Sequence, residues 1–249
     1  MKRLKYLLFL FLIVELFFLT GCNKSLKNVA QEELRKKYNE DFNIYNIQDE
    51  GSSFTCMASP INEPDIIFVA EMDNNGNGLL DHYFQAYLGK LIIDEMNPEL
   101  QQFYYEYYVD VNSIFVLWPS EEDFRGMDIK EILSKADINH GENEGCVVYI
   151  YINGDKGTTG KYDEEYEFFN SKINDYMDDG RMLPLSIAEY YIQDGHFEEI
   201  KNYYQKGLGN TKYVGDIKKD YKKIIFSSGI KGRELTQVEF IELKKEFEK

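Results

Sequence analysis

Apolar and polar positions recur along this chain with two distinct periods. One period marks helices. Ala30, Leu34 and Tyr38 fall on one helical face, and Asn28-x-x-Gln31 has the spacing of a capping box, so a helix is expected to about Asn39. Leu80, Phe84, Tyr87, Leu88 and Leu91 extend the same logic to about Met96, and Asn97-Pro98 is expected to open a further helix through Tyr108. The other period marks strands, at 42–47, 54–58, 66–71 and 114–118, with Asp49-Glu50-Gly51 and Ser59-Pro60 as turns between the first of them.

The second half mixes the two periods again. Met127, Ile129, Ile132 and Leu133 predict a helix, and 146–152 a strand rich in β-branched residues. Tyr162, Tyr166, Phe169, Ile173 and Tyr176 form a helical stripe that stops at Asp179-Gly180. A strand at 185–192, a short helix at 196–204 and a strand at 223–226 follow. Thr236-x-x-Glu239 caps a final helix whose buried side is expected to carry Phe240, Leu243 and Phe247. Irregular interleaving of this kind predicts an α+β fold with mainly antiparallel sheet. Pro119-Ser120 and the acidic run behind it place a boundary between two small subdomains, 28–118 and 119–249.

The N-terminus follows neither period. Lys2, Arg3 and Lys5 precede an apolar run from Tyr6 to Thr20 broken only by Glu15. That run is shorter than the roughly 20 residues a membrane-spanning helix needs. It ends in Leu19-Thr20-Gly21-Cys22, which resembles the lipobox of bacterial lipoproteins. The resemblance implies cleavage between Gly21 and Cys22, a thioether from Cys22 to diacylglycerol, and residues 22–27 as lipidated cysteine and short linker. Two or more acyl chains suffice for stable anchoring. The expected address is therefore the extracytoplasmic face of a bacterial cell membrane, in a composition rich in Lys, Asn, Ile and Tyr that fits a low-G+C Gram-positive source.

Charge sharpens this picture. The 249 residues carry −16, and removing residues 1–21, with Lys2, Arg3, Lys5 and Glu15, leaves −18. Such a surface repels phosphate backbones and argues against a nucleic-acid partner. Cys56 and Cys146 remain after Cys22, both inside apolar runs. They either pair as a disulfide, which an extracytoplasmic setting permits, or stay free as small hydrophobes.

Few motifs carry chemistry. Asp73-Asn74-Asn75-Gly76-Asn77-Gly78-Leu79-Leu80-Asp81 resembles the calcium loop of EF-hand and dockerin proteins. Side-chain oxygens of Asp73, Asn75, Asn77 and Asp81, with the Leu79 carbonyl, would be the ligands that resemblance implies. Phe84 stands where that family has its bidentate acid, and the same residues also suit a plain strand-to-helix turn with Asp81 as cap. Gly154 to Lys161 has one residue too many between its glycines for a phosphate loop, and Tyr162 replaces the hydroxyl residue after the lysine, so no nucleotide is expected. His82, His140 and His196 are scattered. The acidic runs 121–123, Asp163-Glu164-Glu165 and Asp178-Asp179 have the character of solvated faces.

Aromatic density is the remaining signal. On a helix, Phe103, Tyr104, Tyr105, Tyr107 and Tyr108 would cover every face, and a face presenting Tyr104, Tyr105, Tyr107 and Tyr108 suits a protein partner. The sequence thus leads to a membrane-anchored, non-catalytic protein-binding module with a profile similar to that of toxin-neutralising immunity lipoproteins. A small-ligand or calcium-binding lipoprotein is the alternative, and a surface hydrolase a third, without a nucleophile or metal constellation to support it.

Overall fold

The computed structural model describes residues 25–112, 116–119, 122–138, 146–178, 184–192, 195–205, 221–227 and 235–247, with the backbone alone at 177–178, 204–205 and 221–227. The lipobox, Cys22, His140 and Asp179-Gly180 lie outside these residues. Among the described residues, six helices, two four-stranded sheets with mainly antiparallel pairing and one two-stranded sheet make the α+β fold expected from the sequence. The chain divides into two compact units, one of residues up to 58 with 70–80, the other of 59–69 with 81–249. That division departs from the boundary expected at 118/119. The reason lies in strand pairing, because residues 107–112 and 146–153 belong to one sheet.

In the first unit, helix α1 (Leu26–Tyr38) packs on strand β1 (Phe42–Asp49). Ser25, rather than Asn28, caps the helix by accepting the Asn28 N–H at 3.3 Å, while the Gln31 side chain reaches out to the Phe42 carbonyl. Asn39 ends the helix in the left-handed region at φ 54°. Val29, Ala30 and Leu34 are buried, as are Phe42 and Ile44 of β1, and Phe54, Cys56 and Ala58 of β2 (Ser53–Pro60). The first sheet runs in the order β1-β2-β3-β4, with β3 at Phe68–Asp73 and β4 at Leu80–Asp81. Gly76 turns the loop between them at φ 90°, and a Cβ there would lie 2.7 Å from Glu33 Cγ on α1.

The second unit starts from helix α2, a single helix from Tyr83 to Leu100 that contains Pro98 in its last turn. No second helix follows Pro98. Residues 101–106 turn, and Tyr107–Asn112 form strand β5, because Tyr107, Tyr108, Val109 and Val111 are the aromatic and β-branched types that suit a pleated surface. Beyond it, β6 (Val116–Leu117) and β7 (Asp137–Ile138) pair around helix α3 (Ile129–Lys135).

The larger sheet has the order β10-β9-β8-β5, with β8 at Cys146–Asn153, β9 at Leu185–Ile192 and β10 at Tyr221–Ser227. Strands β8 and β9 are parallel, joined through helix α4 (Tyr162–Asp178); the outer pairings are antiparallel. Every residue of β9 is buried, as befits a central strand covered on both faces. One face of β9 presents Leu185, Ile187, Glu189 and Tyr191 toward α4 and toward helix α6 (Gln237–Phe247); the other presents Ala188, Tyr190 and Ile192, against which Phe197 and Ile200 of helix α5 (Phe197–Gln205) pack.

Candidate functional site

A charged cluster is sealed inside the second unit. Glu189 sits in the middle of β9, where neighbouring strand positions are apolar. Glu165 lies in the first turn of α4, and Lys244 in the last turn of α6, so each charge sits at the helix end its sign favours. Lys244 Nζ donates to Glu165 Oε1 at 2.6 Å and to Glu189 Oε1 at 2.9 Å. The Tyr104 hydroxyl reaches the same two oxygens. Side-chain exposure is 0% for Lys244, 1% for Glu165 and 2% for Glu189. Rings of Tyr104, Tyr191 and Phe240 each stand 5.2 Å from the ammonium and complete its cage.

The loop 154–161 holds Tyr104 through its two threonines. Tyr104 forms an antiparallel bridge with Thr158, and the Thr159 N–H donates to the Phe103 carbonyl at 2.8 Å. The Thr159 hydroxyl donates to the Gln102 carbonyl. On the opposite wall, Thr236 and Glu239 form the expected capping box at the start of α6. Tyr166 OH donates to the Leu235 carbonyl, and Gln237 donates to Asp163, so α6 is registered against α4.

Electrostatics follow from this seclusion. Burial, and next the negative charge of Glu189, push the Glu165 carboxyl well above the ordinary glutamate range, while Lys244 pulls it back down. Burial and then the charges of Glu165 and Glu189 push the Tyr104 phenol upward. Two acids, one ammonium and one phenol in van der Waals seclusion are suited to holding a proton.

A tyrosine row occupies the other face of the same sheet. Tyr108, Tyr151 and Tyr190 are opposite one another across β5, β8 and β9. Their rings stack at centroid distances of 6.3 and 5.3 Å, and Tyr149 lies beside Tyr151 along β8 and diagonal to Tyr190. Asp110, opposite Tyr149, is half-buried, and that burial raises its carboxyl to about 6 against one hydrogen bond from the Val111 N–H.

The residues singled out from sequence scatter. Tyr104, expected on an exposed face, is buried at 3%, because its ring and hydroxyl wall the charged cluster. Tyr105 is 68% exposed, and Tyr107 and Tyr108 are half-buried on β5. Cys56 and Cys146 are free, buried thiols, so the structure holds no bridge between them. Desolvation raises the Cys56 thiol to about 11 and lifts that of Cys146 further.

Asp73 is turned onto its own loop. Its Oδ1 accepts the N–H groups of Asn75 and Asn77 at 2.8 Å, and its Oδ2 accepts the Asn77 side chain at 3.0 Å. Asn77's bonds come first among the influences that hold the Asp73 carboxyl below its usual range. Asp81 Oδ1 accepts the Tyr83 N–H at the start of α2, where His82 stands at the N-cap. A short strand, not a helix, follows the Leu79 position. Among the described residues no three His, Cys, Asp or Glu converge to hold a metal ion, and no helix is long and apolar enough to cross a membrane.

The cluster was hidden in sequence by its company. Asp163 and Glu164 are exposed while Glu165, next in the run, is buried. Two signals were available: Glu189 as the lone charge in an apolar strand, and Lys244 four residues after Phe240 on the apolar side of the last helix.

Fold and site together define a mixed α+β protein with a buried ionic core in its larger unit. No family model matches the chain. No curated protein matches it. Among solved structures, the chain is similar to the crystal structure of a DUF5037 family protein from Ruminococcus gnavus ATCC 29149, with a TM-score of 0.61 over 89% of this chain and 99% of that one. Sequence identity is 17%, so the likeness is one of fold.

Proposed function

We propose that the chain is an extracytoplasmic lipoprotein, anchored through Cys22, that serves as a non-catalytic protein-binding module at the cell surface. The observation that carries this is the join between motif and fold. Leu19-Thr20-Gly21-Cys22 ends the apolar leader, and the first helix is already capped at Ser25. Three residues span about 10 Å at most, so an acylated Cys22 holds the folded body against the headgroups.

Two features support a binding rather than a catalytic role. The convergence of ionisable side chains around Lys244 is closed to solvent. Tyr105 meanwhile projects a ring into solvent at 68% exposure beside the half-buried Tyr107 and Tyr108. With a mature charge of −18, the partner is a protein with a basic or mixed-charge surface. Asp73 spends its oxygens on its own loop, which disfavours the calcium-binding alternative.

A photo-crosslinking side chain at position 105 of the anchored protein tests this in native membranes. The proposal expects a discrete crosslinked protein that is absent when the crosslinker sits at exposed Lys36 instead. Equal labelling from both positions would overturn it.

A further inference from the structure

We propose that Glu165 and Glu189 share a single proton, and that the resulting neutral cluster with Tyr104 and Lys244 is a pH-dependent latch holding α6 to α4 and β9. The first support is the count of charges and donors. Two ionised carboxylates against one ammonium would leave a net negative charge among side chains at 0–2% exposure. A buried charge without a partner is far more costly than a neutral carboxyl. One proton on the pair removes that excess and leaves Lys244 one matching anion.

Geometry points the same way. Both Oε1 atoms address the same ammonium and the same phenol. Glu189 Oε2 is buried and has no hydrogen-bond partner, which a charged carboxylate tolerates poorly. Titratable and charged groups facing the pair are Tyr104 from the turn after α2, Tyr191 from β9 and Lys244 from α6. Lys244 is the sole cation among them, and burial together with the Glu–Glu repulsion holds the proton on the pair against its pull.

Helix α6 is the element this governs. Its fully buried side chains are Phe240 and Lys244, so half of its buried face is the charged residue itself. When α6 lifts, Lys244 leaves and water reaches both acids, which then ionise at ordinary values. The closed latch therefore binds its proton more tightly than the open one. Its proton-linked stability is greatest near the ordinary glutamate range, about pH 4.3, is lost as pH rises toward the pair's own ionisation and is flat above that point; below that range it declines again, because the two open acids take up two protons while the closed pair keeps one. Within this window one proton changes the opening equilibrium by up to about tenfold per pH unit.

Hydrogen–deuterium exchange of the intact protein between about pH 5 and pH 8, corrected for intrinsic rates, reads this directly. The expected result is that protection of the α6 amides falls with rising pH while that of the β8 amides stays level. Glu165→Gln and Glu189→Gln each keep the cluster neutral with no proton to lose, so in both variants α6 protection becomes level with pH. Protection of α6 that is level in the native protein, that falls equally in the glutamine variants, or that falls in step with β8 would overturn the proposal. The infrared band of a protonated carboxyl, read at about pH 7 where Asp110 is ionised, present in the native protein and lost in either variant, gives a reading independent of exchange.

Discussion

Lys244 Nζ lies 2.6 Å from Glu165 Oε1, two residues 79 positions apart whose side chains are shut off from water. The pair joins the last described helix to the first turn of α4, and Glu189 and Tyr104 close the circle from the sheet and from the turn after α2. A buried ion pair adds little net stability over a well-packed apolar one, but removing one partner from it is severe.

Lys244→Met is the direct test of that asymmetry. The methionine fills the volume and leaves two carboxyls without their cation. Urea unfolding at neutral pH is expected to show a loss of about 3–5 kcal/mol. A cost under roughly 1 kcal/mol would mean that the ammonium is not held where the structure places it.

Adjacent tyrosines are expected to behave oppositely. Tyr104→Phe keeps the ring and removes the hydroxyl shared by Glu165 and Glu189, at an expected cost of about 1–3 kcal/mol. Tyr105→Ala removes an exposed ring and should change stability by no more than about 0.5 kcal/mol. Its effect belongs instead to partner capture at the membrane, which it is expected to reduce.

The loop after β3 offers a third check. Asp73 holds the N–H groups of Asn75 and Asn77 together with the Asn77 side chain, so Asp73→Ala should lower the melting temperature. The carboxyl is held below its usual range, so this contribution is present above the ordinary aspartate range and is lost as pH falls through the depressed value. Calcium at millimolar concentration should leave the native melting temperature unchanged. An upward shift with calcium, abolished in Asp73→Ala, would restore the loop as an ion site.

Legibility from sequence tracked how much one residue's neighbours resembled it. Strand β9 and the stripe of α4 were readable because Leu185–Ile192 and Phe169, Ile173 and Tyr176 repeat one chemical type at one period. The stretch 103–108 was not, because aromatic residues suit a helix stripe and a strand alike, and only the sheet partner β8 selects the strand. The expected break at Pro98 does not occur: the helix carries the proline in its last turn and ends two residues later, at Leu100. The charged cluster was invisible as a unit because its members come from four elements. Lys244 in particular replaces Leu243 as the second buried residue of α6 beside Phe240.

Both cysteines should be silent in the native state. Cys56 and Cys146 are buried free thiols, with Cys56 raised to about 11, so the thiolate is scarce at neutral pH. Alkylation of the native protein should leave both unmodified, with two adducts after unfolding and no need for reductant. A requirement for reductant would mean that the two are bridged.

The anchored location is tested most directly by the mass of the N-terminal peptide of the mature protein from its native membrane. The account predicts a chain that begins at Cys22 and carries diacylglycerol, with Cys22→Ser releasing the protein from the membrane fraction. A mature chain that begins elsewhere, or that begins at Cys22 without lipid, would contradict it.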